Sequence, residues 1–185
     1  MLAQTIAING FKSLTDGELI VSAMTGRSES FEELVHRYQR PITGYVSRML
    51  GDYEASLDVT QEVFIKVYNS LSKYSDEYKF STWLYRIAHN AAIDHMRRNS
   101  ITPQSIEAEN ADGTFQLQIE SRSPSPEQDH ERSEWRNEID AVVRCLPNAY
   151  RDLIILRHSR DLSYDEIAEV TNLPLGTVKN RLFRA

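Results

Sequence analysis

LSYDEIAEVTNLPLGTVKNRLFRA, residues 162–185, is the stretch on which the fold turns. Ser163 and Glu166 have the spacing of a capping box, which predicts a helix from Tyr164. Ile167, Ala168 and Val170 supply its buried side, and Asn172-Leu173-Pro174 interrupts it after about two turns. In the helix that follows, Val178 and Leu182 lie i, i+4 on an inward face, and no acid occurs among the remaining residues. Two short helices joined by a tight turn, the second basic on its outer side, describe a helix-turn-helix. Such a second helix can enter a major groove, where Lys, Arg and Asn reach phosphates and base edges. The spacing by itself also fits an ordinary helical hairpin with a solvated basic side.

Working outward, Trp135, Ile139, Val142 and Leu146 follow an amphipathic period that Pro147 breaks. A further helix over about 148–159 buries Leu153, Ile154 and Leu156. Cys145, the lone cysteine, falls at an apolar position and is expected in the core. Residues 99–130 gather Pro103, Gly113, Pro124 and Pro126 among polar residues and form a flexible linker. From 99 to 134 there are eight acids against Arg122 and Arg132, which accounts for the whole formal net charge of −6. The rest of the chain is neutral, so local basic faces remain compatible with DNA.

The first part of the chain is also helical. Thr15 and Glu18 form a capping box, Leu14 and Leu19 a hydrophobic staple, and Gly26 suits the C-terminal cap. A second helix from Ser28 or Ser30 keeps its period to Met49, with Pro41 inside it, which predicts a kink or two abutting helices. A third spans about 54–71 with Val59, Val63, Phe64, Val67 and Leu71 inward and Asp58, Gln61, Glu62 and Lys66 outward. A polar loop, 72–80, carries three aromatics, Tyr74, Tyr78 and Phe80. The fourth helix, about 81–98, turns Leu84, Ile87, Ala88, Ala91 and Met96 inward and offers Trp83, Tyr85, Arg86, His89, Asn90, Arg97 and Arg98 outward. Rings beside cations suit a single strand, because bases stack on rings while cations hold phosphates. Core aromatics and a basic helix C-terminus would give the same pattern.

The chain is therefore expected to be all-α: a leader (1–14), a helical domain (15–98), an acidic linker (99–130) and a small helical domain (131–185). No Gly-rich phosphate loop, nucleophile elbow or Cys/His grouping occurs, and His89 and His95 lack metal-ligand spacing, so no catalytic residue, metal or cofactor is assigned. No apolar run is long enough to span a membrane and the start lacks a signal peptide, which makes the cytoplasm the expected location. An ordinary helix-turn-helix regulator with a sensing or dimerising first domain, and a pure interaction module, are the competing classes.

Several runs together resemble the bacterial extracytoplasmic-function (group 4, sigma-70 family) RNA polymerase sigma factors. Asp58-Val59-Thr60-Gln61-Glu62-Val63-Phe64 resembles their region 2 D-x-x-Q-E-x-F segment, and Phe80 through Arg98 the promoter-melting segment after it. LSYDEIAEV and PLGTVKNRLFRA resemble region 4. The resemblance implies that Asp58, Gln61, Glu62 and Phe64 dock on the β′ clamp helices of core polymerase, with the β flap as a further contact. It implies −10 capture by Lys73, Tyr74, Ser75, Phe80, Trp83, Tyr85, Arg86 and Asn90, and −35 reading by Gly176, Thr177, Lys179, Asn180, Arg181, Phe183 and Arg184. It further implies promoter melting and control by an anti-sigma factor, with the acidic linker threading near the polymerase channels. Asn180 stands where Ser is frequent, which implies altered base preference. The sequence stops at Ala185, where members commonly continue, which implies weaker −35 affinity, and the leader before Thr15 is longer than in many members.

Overall fold

A computed structural model describes residues 11–101, 139 and 141–185. Among them all regular structure is helical. The expected linker lies almost wholly outside the described residues, as do the leader up to residue 10 and Trp135.

The local signals set the helix ends. In α1 (Asp16–Met24) the Thr15 hydroxyl accepts from Glu18 N, and the Glu18 carboxylate accepts from Thr15 N at 2.7 Å, closing the capping box. Gly26 takes a left-handed φ of 95°, and Arg27 N donates back to Ser22 O, a Schellman stop. Helix α2 (Ser28–Leu50) runs unbroken through Pro41, so the two-helix alternative is excluded. It stops at Gly51, left-handed at φ 75°, and Asp52 then caps α3 (Tyr53–Ser70) by accepting from Ala55 N. A 3-10 turn (Leu71–Lys73) leads into the loop, and α4 (Phe80–Ile101) runs longer than its expected end at Arg98.

Helices α1–α4 form a front module. Leu34, Ile42, Tyr45, Val46 and Met49 of α2 meet Val59, Val63 and Val67 of α3 and Leu84, Ala88 and Ala91 of α4 in one apolar core. Each of the Leu, Ile, Val and Met side chains among them contributes roughly 1.5–3 kcal/mol on burial. Helix α1 is fastened across α2 by Arg37, which pairs with Asp16 and Glu33, both at 2.9 Å, and donates to the carbonyls of Phe11 and Lys12.

The rear module comprises a helical turn at 141–145, α5 (Asn148–Ile154) continuing into a π-turn (Ile155–Ser159), α6 (Tyr164–Thr171) and α7 (Leu175–Arg184). The Ser163–Glu166 capping box forms as the spacing predicts, and Asn172 ends α6 in the left-handed region at φ 54°. Three expectations need correction here. Cys145 is exposed, because Val143 rather than Cys145 or Val142 turns toward the core. Ile139 is exposed too, so the apolar stripe read before Pro147 does not face inward as a whole. Past α5, Ile155 is buried and Ile154 only half-buried, since Ile155 lies three residues after the buried Asp152 on the same helix face.

The two modules touch. Helix α6 packs along α4, and α5 with its π-turn reaches α2. Arg151 donates to the Met49 carbonyl at 3.3 Å and Arg160 to the Pro41 carbonyl at 2.5 Å, so the rear module is tied to backbone of α2. Gly44 permits the second contact, since a β-carbon there would come 3.3 Å from Arg160 Nη2.

Candidate nucleic-acid interface

Three surfaces collect the residues singled out in the sequence. On α3, Asp58 and Gln61 are exposed and Glu62 half-buried, with Phe64 sunk beside them. Glu62 bonds Lys66 at 2.7 Å and reaches Arg98 at 3.6 Å. The hydrogen bond from Lys66 holds the Glu62 carboxyl below its usual range, against the opposing effect of burial. Beside this edge runs a groove of about 560 Å³ between α2 and α3, walled by Phe31, Val35, Leu57, Phe64, Ile65 and Tyr68. The sequence reading missed it. Its signal was the apolar residues Leu57, Ile65 and Tyr68 at outward positions of α3, all three exposed.

The second surface is the loop and the face of α4. Lys73, Ser75 and Asn90 stand exposed. Tyr74, Phe80 and Trp83 form a ring cluster with centroids 5.4–5.9 Å apart, and the Tyr74 hydroxyl donates to Tyr78 O at 2.9 Å, which pins the loop. Phe80 is only 3% exposed, so its role in this conformation is to hold the other rings.

Two side chains expected on the outer face of α4 are buried, Tyr85 at 4% and His89 at 7% exposure. Both face the rear module. Tyr85 meets Tyr45 edge-on at 5.4 Å, and the Arg160 guanidinium lies 5.8 Å from its ring centre. His89 Nδ1 is 3.1 Å from the Tyr45 hydroxyl and 4.0 Å from Asp152 of α5. Burial pushes the His89 imidazole down to about 4 and the Asp152 carboxyl up to about 6. Arg86 is half-exposed and paired with Glu169 of α6 at 2.5 Å.

The third surface is the outer side of α7. Gly176, Lys179, Asn180 and Arg184 are exposed, Thr177 and Arg181 half-buried, and Phe183 is 92% exposed. Val178 is fully buried beneath them, with Leu182 packed against the core, as the spacing predicts. Among the described residues no group of His, Cys, Asp and Glu is placed to hold a metal ion, and no helix is long and apolar enough to cross a membrane.

The family models for Sigma-70 region 2 and Sigma-70 region 4 match residues 34–101 and 136–185. The chain is 38% identical over 179 residues to the RNA polymerase sigma-H factor of Pseudomonas aeruginosa, covering 92% of this chain and 89% of that one. It is 37% identical over 179 residues to the ECF RNA polymerase sigma-E factor of Escherichia coli K12, covering 94% and 92%. This chain belongs to the ECF RNA polymerase sigma factors. Another relative, the ECF sigma factor SigW of Bacillus subtilis, is 37% identical over 162 residues, 86% of each chain.

The fold of this sigma factor is shared with CnrH, solved in complex with the cytosolic domain of CnrY, at a TM-score of 0.64, 20% identity and coverage of 92% and 91%. It is shared also with the sigma factor RpoE of Bartonella quintana, solved with the anti-sigma factor NepR, at a TM-score of 0.63, 21% identity and coverage of 84% and 91%. Like its family, this sigma factor acts in transcription initiation as a regulator.

Proposed function

We propose that this sigma factor divides promoter recognition between its two modules. Residues 15–98 bind core polymerase and the −10 element, 131–185 read the −35 element, and 99–130 tether them. Asp58, Gln61 and Glu62, beside the groove closed by Phe64, dock on the β′ clamp helices. Lys73, Ser75 and Asn90, supported by the Tyr74–Phe80–Trp83 ring cluster, take the separated −10 strand together with Tyr85 and Arg86. Opening the duplex costs a few kcal/mol per extruded base, which ring stacking of about 1–3 kcal/mol per base offsets.

The observation that carries this reading is α7. Its outer side presents Thr177, Lys179, Asn180, Arg181 and Arg184 with no acid in the helix, above a buried Val178. That is a surface for duplex phosphates and base edges. Bond making belongs to the polymerase; the sigma factor positions and captures. It works in the cytoplasm, and an anti-sigma factor holds it inactive, with the apolar α2–α3 groove suited to a partner's amphipathic helix. Run-off transcription with core polymerase tests the proposal. Promoter-specific transcripts that require the sigma factor are expected, and their absence with the full chain refutes it.

A further inference from the structure

We infer that Arg181 is a positioning residue of the −35 surface: it anchors α7 to α5 and so sets the angle at which Lys179, Asn180 and Arg184 meet the duplex, instead of touching DNA itself. The inference rests on the reading of α7 proposed above and narrows the set of residues that reach the groove. Of the three cations in α7, Lys179 and Arg184 are exposed and Arg181 is half-buried. The helix dictates this. Arg181 follows the buried Val178 by three residues and precedes Leu182, which packs on the core, so it starts from the edge of the inner side. From there its Nη1 reaches back to the Ala149 carbonyl of α5 at 3.5 Å.

A buried carboxylate lies next along α5. Asp152 follows Ala149 by three residues and therefore shares its face. Its Oδ1 accepts from Leu153 N at 2.8 Å, and its Oδ2 is 4.0 Å from His89, which burial keeps neutral. Burial raises the Asp152 carboxyl, while the Leu153 amide and the charge of Arg181 act against it. A buried carboxylate is costly without a cation, so Asp152 draws the guanidinium inward and away from the groove. The planar fork of arginine suits this place, because it can face a carbonyl and a carboxylate at once. Removing an acid beside a phosphate-binding surface ordinarily strengthens DNA binding. A weakening on loss of Asp152 therefore has to come from the pose of α7.

The test uses core polymerase with the full chain carrying Asp152→Asn, Arg181→Met or both. Affinity for a fluorescein-labelled duplex bearing the −35 region of a promoter that the wild type transcribes is read by anisotropy, and stability by urea midpoint. Asp152→Asn stays folded, because a neutral side chain suits the buried position. It is expected to bind the duplex about 5- to 10-fold more weakly than wild type, a change of about 1–1.4 kcal/mol, while its urea midpoint does not fall. A merely structural role would move the two readings together. Arg181→Met should lose as much affinity, and the double variant no more than Arg181→Met alone, because both changes cut one link. An Asp152→Asn complex that binds as tightly as wild type or tighter overturns the inference, and so does a double variant whose losses add in full. A wild type that gives no promoter-specific transcript overturns the proposed function, and this narrowing of it as well.

Discussion

The Tyr38 hydroxyl donates to the Asp16 carboxylate, and the Tyr38 ring meets Phe80 edge-on with 5.4 Å between centroids. A residue of α1 is thereby linked through α2 to the ring cluster that holds the capture loop. A hydrogen bond to a charged acceptor contributes about 1.5–3 kcal/mol. Tyr38→Phe keeps the ring contact and removes only that bond, so it should lower unfolding stability by that amount in urea titrations. Asp16→Ala should cost at least as much because Arg37 loses a partner as well. The double variant should fall short of the sum, since one bond is removed twice.

Asp152 and His89 give opposing pH dependences. The Asp152 carboxyl is raised from 3.8 to about 6, so the folded chain prefers it protonated. Its contribution is full below 3.8 and is lost as pH rises toward 6. His89 is lowered from 6.5 to about 4, so the folded chain prefers it neutral. That contribution is full above 6.5 and is lost as pH falls toward 4. Asp152→Asn should therefore gain roughly 1–3 kcal/mol at pH 7.5, a gain that vanishes below about pH 4. The loss of stability between pH 6.5 and 4, largely offset in the wild type by Asp152, should steepen in that variant, because His89 then acts alone. Urea midpoints across this range decide the matter.

Asp58→Ala and Gln61→Ala alter exposed positions of α3, so stability should change by no more than about 0.5 kcal/mol. Affinity for core polymerase should nevertheless fall about tenfold, or about 1.4 kcal/mol. Competition against a labelled sigma factor measures this, and an unchanged affinity removes α3 from the docking surface.

Arg184→Ala and Lys179→Ala should weaken duplex binding by the polymerase complex for every −35 sequence alike. Each should reduce the slope of log affinity against log salt by about one. Asn180→Ala should instead change which bases are preferred. A sequence-selective effect from Arg184 would reassign it from phosphate to base contact.

Asn90→Ala should slow promoter opening, followed by permanganate reactivity of unpaired thymines, while polymerase affinity stays the same. Equal loss of both would contradict a strand-capturing role for this exposed amide.

What the sequence revealed, and what it hid, follows from the range of each interaction. The Thr15–Glu18 and Ser163–Glu166 boxes are closed by groups three residues apart, so spacing alone predicts α1 and α6. The outward set of α7 is equally local, because Val178 and Leu182 define its inner side. Tyr85 and His89 were misplaced because the groups that cover them, Tyr45, Arg160 and Asp152, lie forty or more residues away in the chain. No periodicity within α4 carries that information. Ile155 was missed for a different reason: it shares a face with Asp152, three residues before it, a buried polar residue that a hydrophobic pattern does not count as inward. The α2–α3 groove went unseen because it belongs to neither helix alone.

Gly44 sets two properties of α2 against each other. Within a helix, alanine is favoured over glycine by roughly 0.5–1 kcal/mol, so an added methyl should make the front module sturdier. The same methyl would meet Arg160 Nη2 at 3.3 Å, so the end of that side chain has to give by a few tenths of an ångström. One carbon atom at this position therefore trades helix stability against the fit of the Arg160 seat.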